Sequence, residues 1–123
     1  AFREIYQPRN IHFFKEIPPE DFLRLLVHSR GIVGNSSVAI RECSFLGVPA
    51  VNIGSREEGR ERGPNVVDVP AYDRRAIQEA IQRHLMNGKR VEPVELYGDG
   101  QAGKRIAQVL SEVPLRYTKR LTY

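Results

Sequence analysis

Tryptophan is absent, cysteine and methionine occur once each, and no apolar run approaches the roughly 20 residues that a membrane-spanning helix needs. The single cysteine, Cys43, excludes an internal disulfide and suits a reducing compartment, so a cytoplasmic protein without a membrane partner is expected. The opening residues Ala1-Phe2-Arg3-Glu4-Ile5 lack the charged and apolar regions of a signal peptide and the initiator methionine. The chain is therefore expected to begin inside a longer protein. There is no internal repeat and no low-complexity segment. The three histidines, His12, His28 and His84, stand at no metal-ligand spacing, so each is read as structural and no metal is expected. No Ser–His–Asp set or carboxylate pair can be assembled from spacing, which leaves the catalytic acid, base and nucleophile unassigned.

What remains is one domain's worth of ordinary globular sequence: 123 residues, 41% of them hydrophobic and 28% charged. A net charge of +4 raises the question of nucleic acid, and its distribution answers it. The most charge-dense loop places Arg56, Arg60 and Arg62 among Glu57, Glu58 and Glu61 and sums to zero, whereas a phosphate-backbone binder gathers cations without interleaved acids. The excess lies near the ends, at Arg116, Lys119 and Arg120, read as a solvated tail.

Short apolar runs alternate with helical periods. Ile11-His12-Phe13-Phe14 reads as a strand, and Pro18-Pro19 with Glu20-Asp21 as a helix start. Phe22, Leu25, Leu26 and Ser29 keep a helical period over 21–29, widened by Leu23 and Val27, with Gly31 as a left-handed cap. Ile32-Val33-Gly34 is a short strand, a helix follows from about Ser37 to Leu46, and Ala50-Val51-Asn52-Ile53 and Val66-Val67-Asp68-Val69 are strands. Asp73 caps a helix that turns Ile77, Ile81 and Leu85 to one face and ends at Asn87-Gly88. After a tight turn, Tyr97-Gly98-Asp99-Gly100, a last helix from about Gln101 to Val113 is expected to direct Ile106, Val109 and Leu110 inward. Continuously apolar strands alternating with helices predict an α/β fold, a parallel sheet covered on both faces, with ligands beyond the carboxyl ends of the strands.

Three loops leave strands on that side. Asn35-Ser36-Ser37 opens a helix, where free amides, the helix dipole and hydroxyls attract an anion, although the same residues would serve as a plain cap. Glu42, six residues after Ser36, would lie about 9 Å further along that helix. It could accept from ribose hydroxyls, or simply face solvent. The loop from Gly54 to Asn65 offers Arg56 and Arg60, which can fork onto phosphate oxygens, with a charge-compensated mobile loop as the alternative. The third loop is Lys15-Glu16-Ile17. Cys43, among apolar neighbours, is expected to be buried rather than reactive.

The order Ile17-Pro18, Gly34-Asn35-Ser36-Ser37-Val38-Ala39-Ile40-Arg41-Glu42, Leu46-Gly47-Val48-Pro49, Asn52-Ile53-Gly54-Ser55-Arg56, Gly59-Arg60, Asn65-Val66 and Tyr97-Gly98-Asp99-Gly100 resembles the C-terminal half of UDP-N-acetylglucosamine 2-epimerases over about 11–110. The resemblance implies a Rossmann-like sheet, the C-terminal domain of a two-domain, glycosyltransferase-B-like architecture whose N-terminal catalytic domain lies outside this chain. It implies UDP or a UDP-sugar as partner, no cofactor, a homo-oligomeric full-length protein and a place in amino-sugar and sialic-acid metabolism. Carried over residue by residue, Ser36 and Ser37 would contact the diphosphate, Glu42 the ribose, the backbone near Ile17 the uracil edge, and Arg56 the diphosphate or sugar, with Asn35 and Arg60 completing the expected UDP-binding set. Arg56 would be the possible stabiliser of the leaving group. The non-hydrolysing branch usually carries Arg-Pro-Glu in the loop after the third strand; here Ser55-Arg56-Glu57-Glu58-Gly59-Arg60 stands closer to the hydrolysing branch. Alone, the chain is expected to be inactive. The rival readings are the donor domain of a glycosyltransferase on the same architecture and a non-enzymatic nucleotide-binding module.

Overall fold

Three parallel strands in the order β1-β2-β3 form the centre of the computed structural model, which describes residues 10–114. They are β1 (Ile32–Gly34), β2 (Ala50–Ile53) and β3 (Val66–Val69), with Val33 beside Val51 and Val51 beside Val67. Around them lie α1 (Pro19–His28), α2 (Glu42–Leu46), α3 (Arg74–Ala80) and α4 (Ala102–Glu112), with a 3-10 turn at Ser37–Ala39 and a π-helical turn at Ile81–Leu85. In a parallel pair, partnered residues point to the same side. Ile32 and its neighbours therefore meet Leu26 of α1 and Cys43 and Leu46 of α2, together with Val48. Val51 and Val69 meet Ala76 and Ile77 of α3 and Leu85 beyond it. Helices cover both faces, and the chain is a Rossmann-like α/β unit.

The caps follow from residue chemistry. Pro19 needs no amide partner in the first turn of α1, and Glu20 and Asp21 face its positive end. Gly47, at φ +64°, closes α2 in a conformation that a side chain would resist, and Asp73 caps α3 by accepting from the Arg75 amide at 2.9 Å.

Four expectations need correction. Ile11 to Phe14 form no strand: the segment joins no ladder, and Ile11, Phe13 and Phe14 are exposed. Gly31 is not a left-handed cap, since α1 ends at extended Ser29. Glycine is required there by packing, because a Cβ would stand 2.5 Å from Leu85 Cδ2 and 2.6 Å from the Pro49 carbonyl. The helix expected from Ser37 to Leu46 is broken at Ile40-Arg41. The Ala39 carbonyl, which an unbroken helix would offer to the Cys43 amide, accepts instead from Asn65 Nδ2 at 3.0 Å. Finally, α4 buries no residue, and Ile106, Val109 and Leu110 face outward at 59%, 55% and 62% exposure. On α1 only Leu26 is buried, while Leu23, Leu25 and Val27 are exposed. The tail cations Arg116, Lys119 and Arg120, and Ala1 to Ile5, lie outside the described residues.

Candidate functional site

The turn after β1 begins at Gly34, whose φ of +154° favours glycine, and continues through exposed Asn35 to half-buried Ser36 and Ser37. Ser36 is the cap of the 3-10 turn, its hydroxyl accepting from the Val38 amide at a long 3.4 Å. Among the described residues, the Ser36 and Ser37 amides donate to no protein acceptor. Because the helix is interrupted, the dipole behind these amides is that of a single turn. Local donors, rather than a macrodipole, are what the turn offers an anion.

The loop between β2 and β3 is anchored along its length. Gly54 donates to the Val69 carbonyl at 2.9 Å, Glu58 to Ser55 at 2.9 Å, and the Glu61 carbonyl accepts from Tyr97 Oη at 2.9 Å. Arg62 Nε donates to Asp68 Oδ2 at 3.0 Å and its guanidinium also to the Arg60 carbonyl, while Asn52 Nδ2 donates to Asp68 Oδ1 at 2.6 Å. Partial burial pushes the Asp68 carboxyl up. Hydrogen bonds from Arg62 and Asn52 and the charge of Arg62 outweigh this and hold it below the ordinary carboxylate value. Glu57, whose acid the sequence gives no reason to distinguish from Glu58 and Glu61, is buried at 2% exposure. Arg56 Nε lies 3.8 Å from its Oε1 and Arg60 Nη1 3.0 Å from its Oε2. Arg56 Nη1 also donates to the Asn35 carbonyl at 3.1 Å, tying this loop to the turn after β1. The two arginines are thus held by Glu57, a partner their spacing alone could not reveal.

Glu42 heads α2 and lines a cavity of about 490 Å3 with Leu23 of α1, Phe45 of α2 and the Tyr97 to Gly100 turn. Its Oε2 is buried and has no hydrogen-bond partner. Across the cavity, Asp99 takes Arg105 on both oxygens, at 2.8 and 2.5 Å, and the Gln101 amide at 3.0 Å. Those bonds, Arg105 first, hold the Asp99 carboxyl below its ordinary value. Asn35, Ser36, Ser37, Arg56 and Arg60 do not line this cavity, nor does Ile17, which is half-buried in the coil before α1 rather than at a strand end. The structure therefore brings Asn35, Arg56, Glu57 and Arg60 into one cluster and places Glu42 apart from it, at a separate hollow.

Of the other reactive side chains, the cysteine is buried and two histidines bond backbone carbonyls. Burial pushes the Cys43 thiol up to about 12, the Glu42 charge adding to this and Arg90 opposing it, so the thiolate is out of reach near neutral pH. His84 Nε2 bonds the Asn65 carbonyl at 2.7 Å and His28 Nδ1 the Arg24 carbonyl at 2.8 Å. Asn65 is the polar centre of the fold. Its side chain, fully buried, donates to the Ala39 and Val48 carbonyls at 3.0 and 3.1 Å and accepts from Ser44 Oγ at 2.8 Å. Among the described residues no group of histidine, cysteine or acidic side chains could hold a metal ion, and no helix is long and apolar enough to cross a membrane.

A model of the family described as UDP-N-acetylglucosamine 2-epimerase matches residues 1–111. The chain belongs to this family. A Legionella pneumophila protein named UDP-N,N'-diacetylbacillosamine 2-epimerase (hydrolyzing) is 35% identical over 116 residues, covering 94% of this chain and 30% of that protein. A Neisseria meningitidis UDP-N-acetylglucosamine 2-epimerase is 34% identical over 109 residues, 86% of this chain and 28% of that protein. An Escherichia coli relative, polysialic acid biosynthesis protein P7, is 38% identical over 86 residues, 63% of this chain and 22% of that protein. The chain thus spans less than a third of the length of these curated relatives. Its Gly34-to-Glu42 segment contains both the unpaired amides and the carboxylate that lines the cavity.

Proposed function

We propose that this chain is the UDP-binding C-terminal part of a cytoplasmic, homo-oligomeric UDP-N-acetylglucosamine 2-epimerase of the hydrolysing branch. Together with a second domain in a glycosyltransferase-B-like arrangement, it would act on a UDP-linked 2-acetamido sugar. Loss of the C2 proton and cleavage of the C1–oxygen bond release UDP and leave a glycal. Water then adds hydroxyl to C1 and a proton to the opposite face of C2, giving free N-acetylmannosamine when the sugar is N-acetylglucosamine. Negative charge grows on the β-phosphate as UDP leaves, so donors fixed there lower the barrier rather than merely bind substrate. Ser36 and Ser37, with Asn35 beside them, are assigned to the diphosphate, Arg56 and Arg60 to the diphosphate or sugar, Glu42 to the ribose hydroxyls and the backbone near Ile17 to the uracil.

One observation carries the reading: Glu42 lines a 490 Å3 hollow, and one of its carboxylate oxygens is buried without a partner. A buried acceptor left empty is costly, and sugar hydroxyls are donors that would satisfy it. The hydrolysing assignment draws further support from the absence of Arg-Pro-Glu in the 54–65 loop and from the relative named as hydrolyzing.

Calorimetric titration with UDP, GDP and inorganic phosphate tests it. UDP should bind in preference to the others, and Glu42→Ala should weaken it by about tenfold or more, as expected when a hydrogen bond to a charged group is lost. An equal response to all three ligands, or an unchanged affinity in the variant, refutes the assignment. The 123-residue chain by itself should turn over no sugar nucleotide; measured turnover would show that the second domain is dispensable.

A further inference from the structure

Glu57 is a buried acid to which neither the sequence reading nor the proposed reaction gives a role of its own. Its position is unusual in three respects. It lies at 2% exposure on a loop whose neighbours Arg56, Glu58 and Arg60 are all exposed. Both its oxygens face guanidinium groups, at 3.8 Å from Arg56 Nε and 3.0 Å from Arg60 Nη1. Yet Oε2 completes no hydrogen bond, so what holds it is charge rather than a directed donor. A carboxylate taken out of water is costly unless cations compensate it, and here two do. The result is a fixed negative point under two exposed arginine heads.

Arg56 lies beside that point. Its Nε side turns to Glu57 and its Nη1 to the Asn35 carbonyl at 3.1 Å, while Nη2 bonds nothing among the described residues. The guanidinium is thereby held across the gap between the 54–65 loop and the turn whose Ser36 and Ser37 amides are unpaired, with one donor edge unused. We propose that Glu57 is a positioning residue, which holds the Arg56 guanidinium at the turn after β1 so that its unused edge and the Ser36 and Ser37 amides meet the same diphosphate. The proposal rests on the diphosphate reading above. Glu57 never touches the ligand. Removing its charge would by itself favour an anion, but the rotamer freedom that Arg56 regains outweighs that screened repulsion, because a long side chain held in advance loses less on binding.

The test is a double-mutant cycle on the 123-residue chain, combining Glu57→Gln with Arg56→Gln and reading calorimetric affinity for UDP and, separately, for inorganic pyrophosphate. Glu57→Gln should weaken binding by about tenfold and have no further effect once Arg56 is replaced. In the ligand-free protein, the Nε–Hε resonance of Arg56, identified by its loss in Arg56→Gln, should change from an ordered to a mobile signal in Glu57→Gln. Glu57→Asp, which keeps the charge one methylene further back, should fall between wild type and Glu57→Gln; if Glu57→Gln does not fold, the cycle is run with Glu57→Asp. Additive effects, or unchanged or tighter binding in the Glu57 variant, overturn the inference while leaving the UDP reading intact. Wild type that binds pyrophosphate without preferring UDP overturns the UDP reading, and the same cycle in pyrophosphate then decides the role of Glu57. Wild type that binds neither overturns both.

Discussion

Asn65 bears more of the fold than any other single polar side chain described. Its amide reaches the Ala39 and Val48 carbonyls and its oxygen the Ser44 hydroxyl, while its backbone carbonyl takes the Ala50 amide at 2.7 Å and His84. Asn65→Ala strands three buried groups at once and should destabilise the chain by about 2–4 kcal/mol, measured by urea unfolding. Asn65→Asp should do no better, since a carboxylate cannot donate to the two carbonyls. The sequence pointed to Asn65 only as part of a familiar Asn-Val pair. Nothing in a lone asparagine before a strand says that three segments converge on it. Glu57 was hidden for a similar reason: in a run of alternating charge, burial of one acid depends on how the loop folds back. Glu42 drew notice in the sequence by following a Gly-Asn-Ser-Ser turn, but its expected place along one continuous helix is overturned: it starts a separate short helix after the break. The burial of Cys43 was legible from its apolar neighbours.

Elements read well where local chemistry decides them and poorly where a distant partner does. β1, β2 and β3 are apolar runs bounded by Gly34, Gly54 and Pro70, and Asp73 marks the start of α3 by its own side chain. The helix expected over 37–46 failed because Asn65, far along the chain, claims one of its carbonyls, and Ile11 to Phe14 failed as a strand because a strand needs a ladder. Gly31 was read by conformation when packing is its reason. Gly31→Ala should cost about 2 kcal/mol in thermal unfolding, as overpacking between β1, Pro49 and Leu85 does. The link between β2, β3 and their loop is also sensitive to acid. The folded carboxyl of Asp68 sits below its ordinary value of 3.8, so the deprotonated form favours folding. Its contribution is complete above that value and is lost as pH falls through the lower, folded one. The melting temperatures of wild type and Asp68→Asn should therefore differ near neutral pH and converge as pH drops below about 3.8.

At the scale of the molecule, the two core clusters flank three strands among the described residues, and much apolar surface is exposed: Phe14 before α1, Leu25 on α1, and the outward stripe of α4. A surface of this kind favours association. Sedimentation of the 123-residue chain should show concentration-dependent self-association, and Ile106→Lys with Leu110→Lys should reduce it while shifting the melting temperature little, because neither side chain is buried. A monomer at all concentrations, or a variant that unfolds, contradicts this.

The Asp99–Arg105 pair gives α4 a particular mechanical character. It pins the first turn at the rim of the Glu42 cavity, and the remaining turns bury nothing. Among the described residues the helix resembles a cantilever, clamped at one end and burying no side chain along its span. Its distal amides should exchange with solvent long before those of β2, and whatever bears on its last turn would transmit leverage to the wall of the hollow that Glu42 shares.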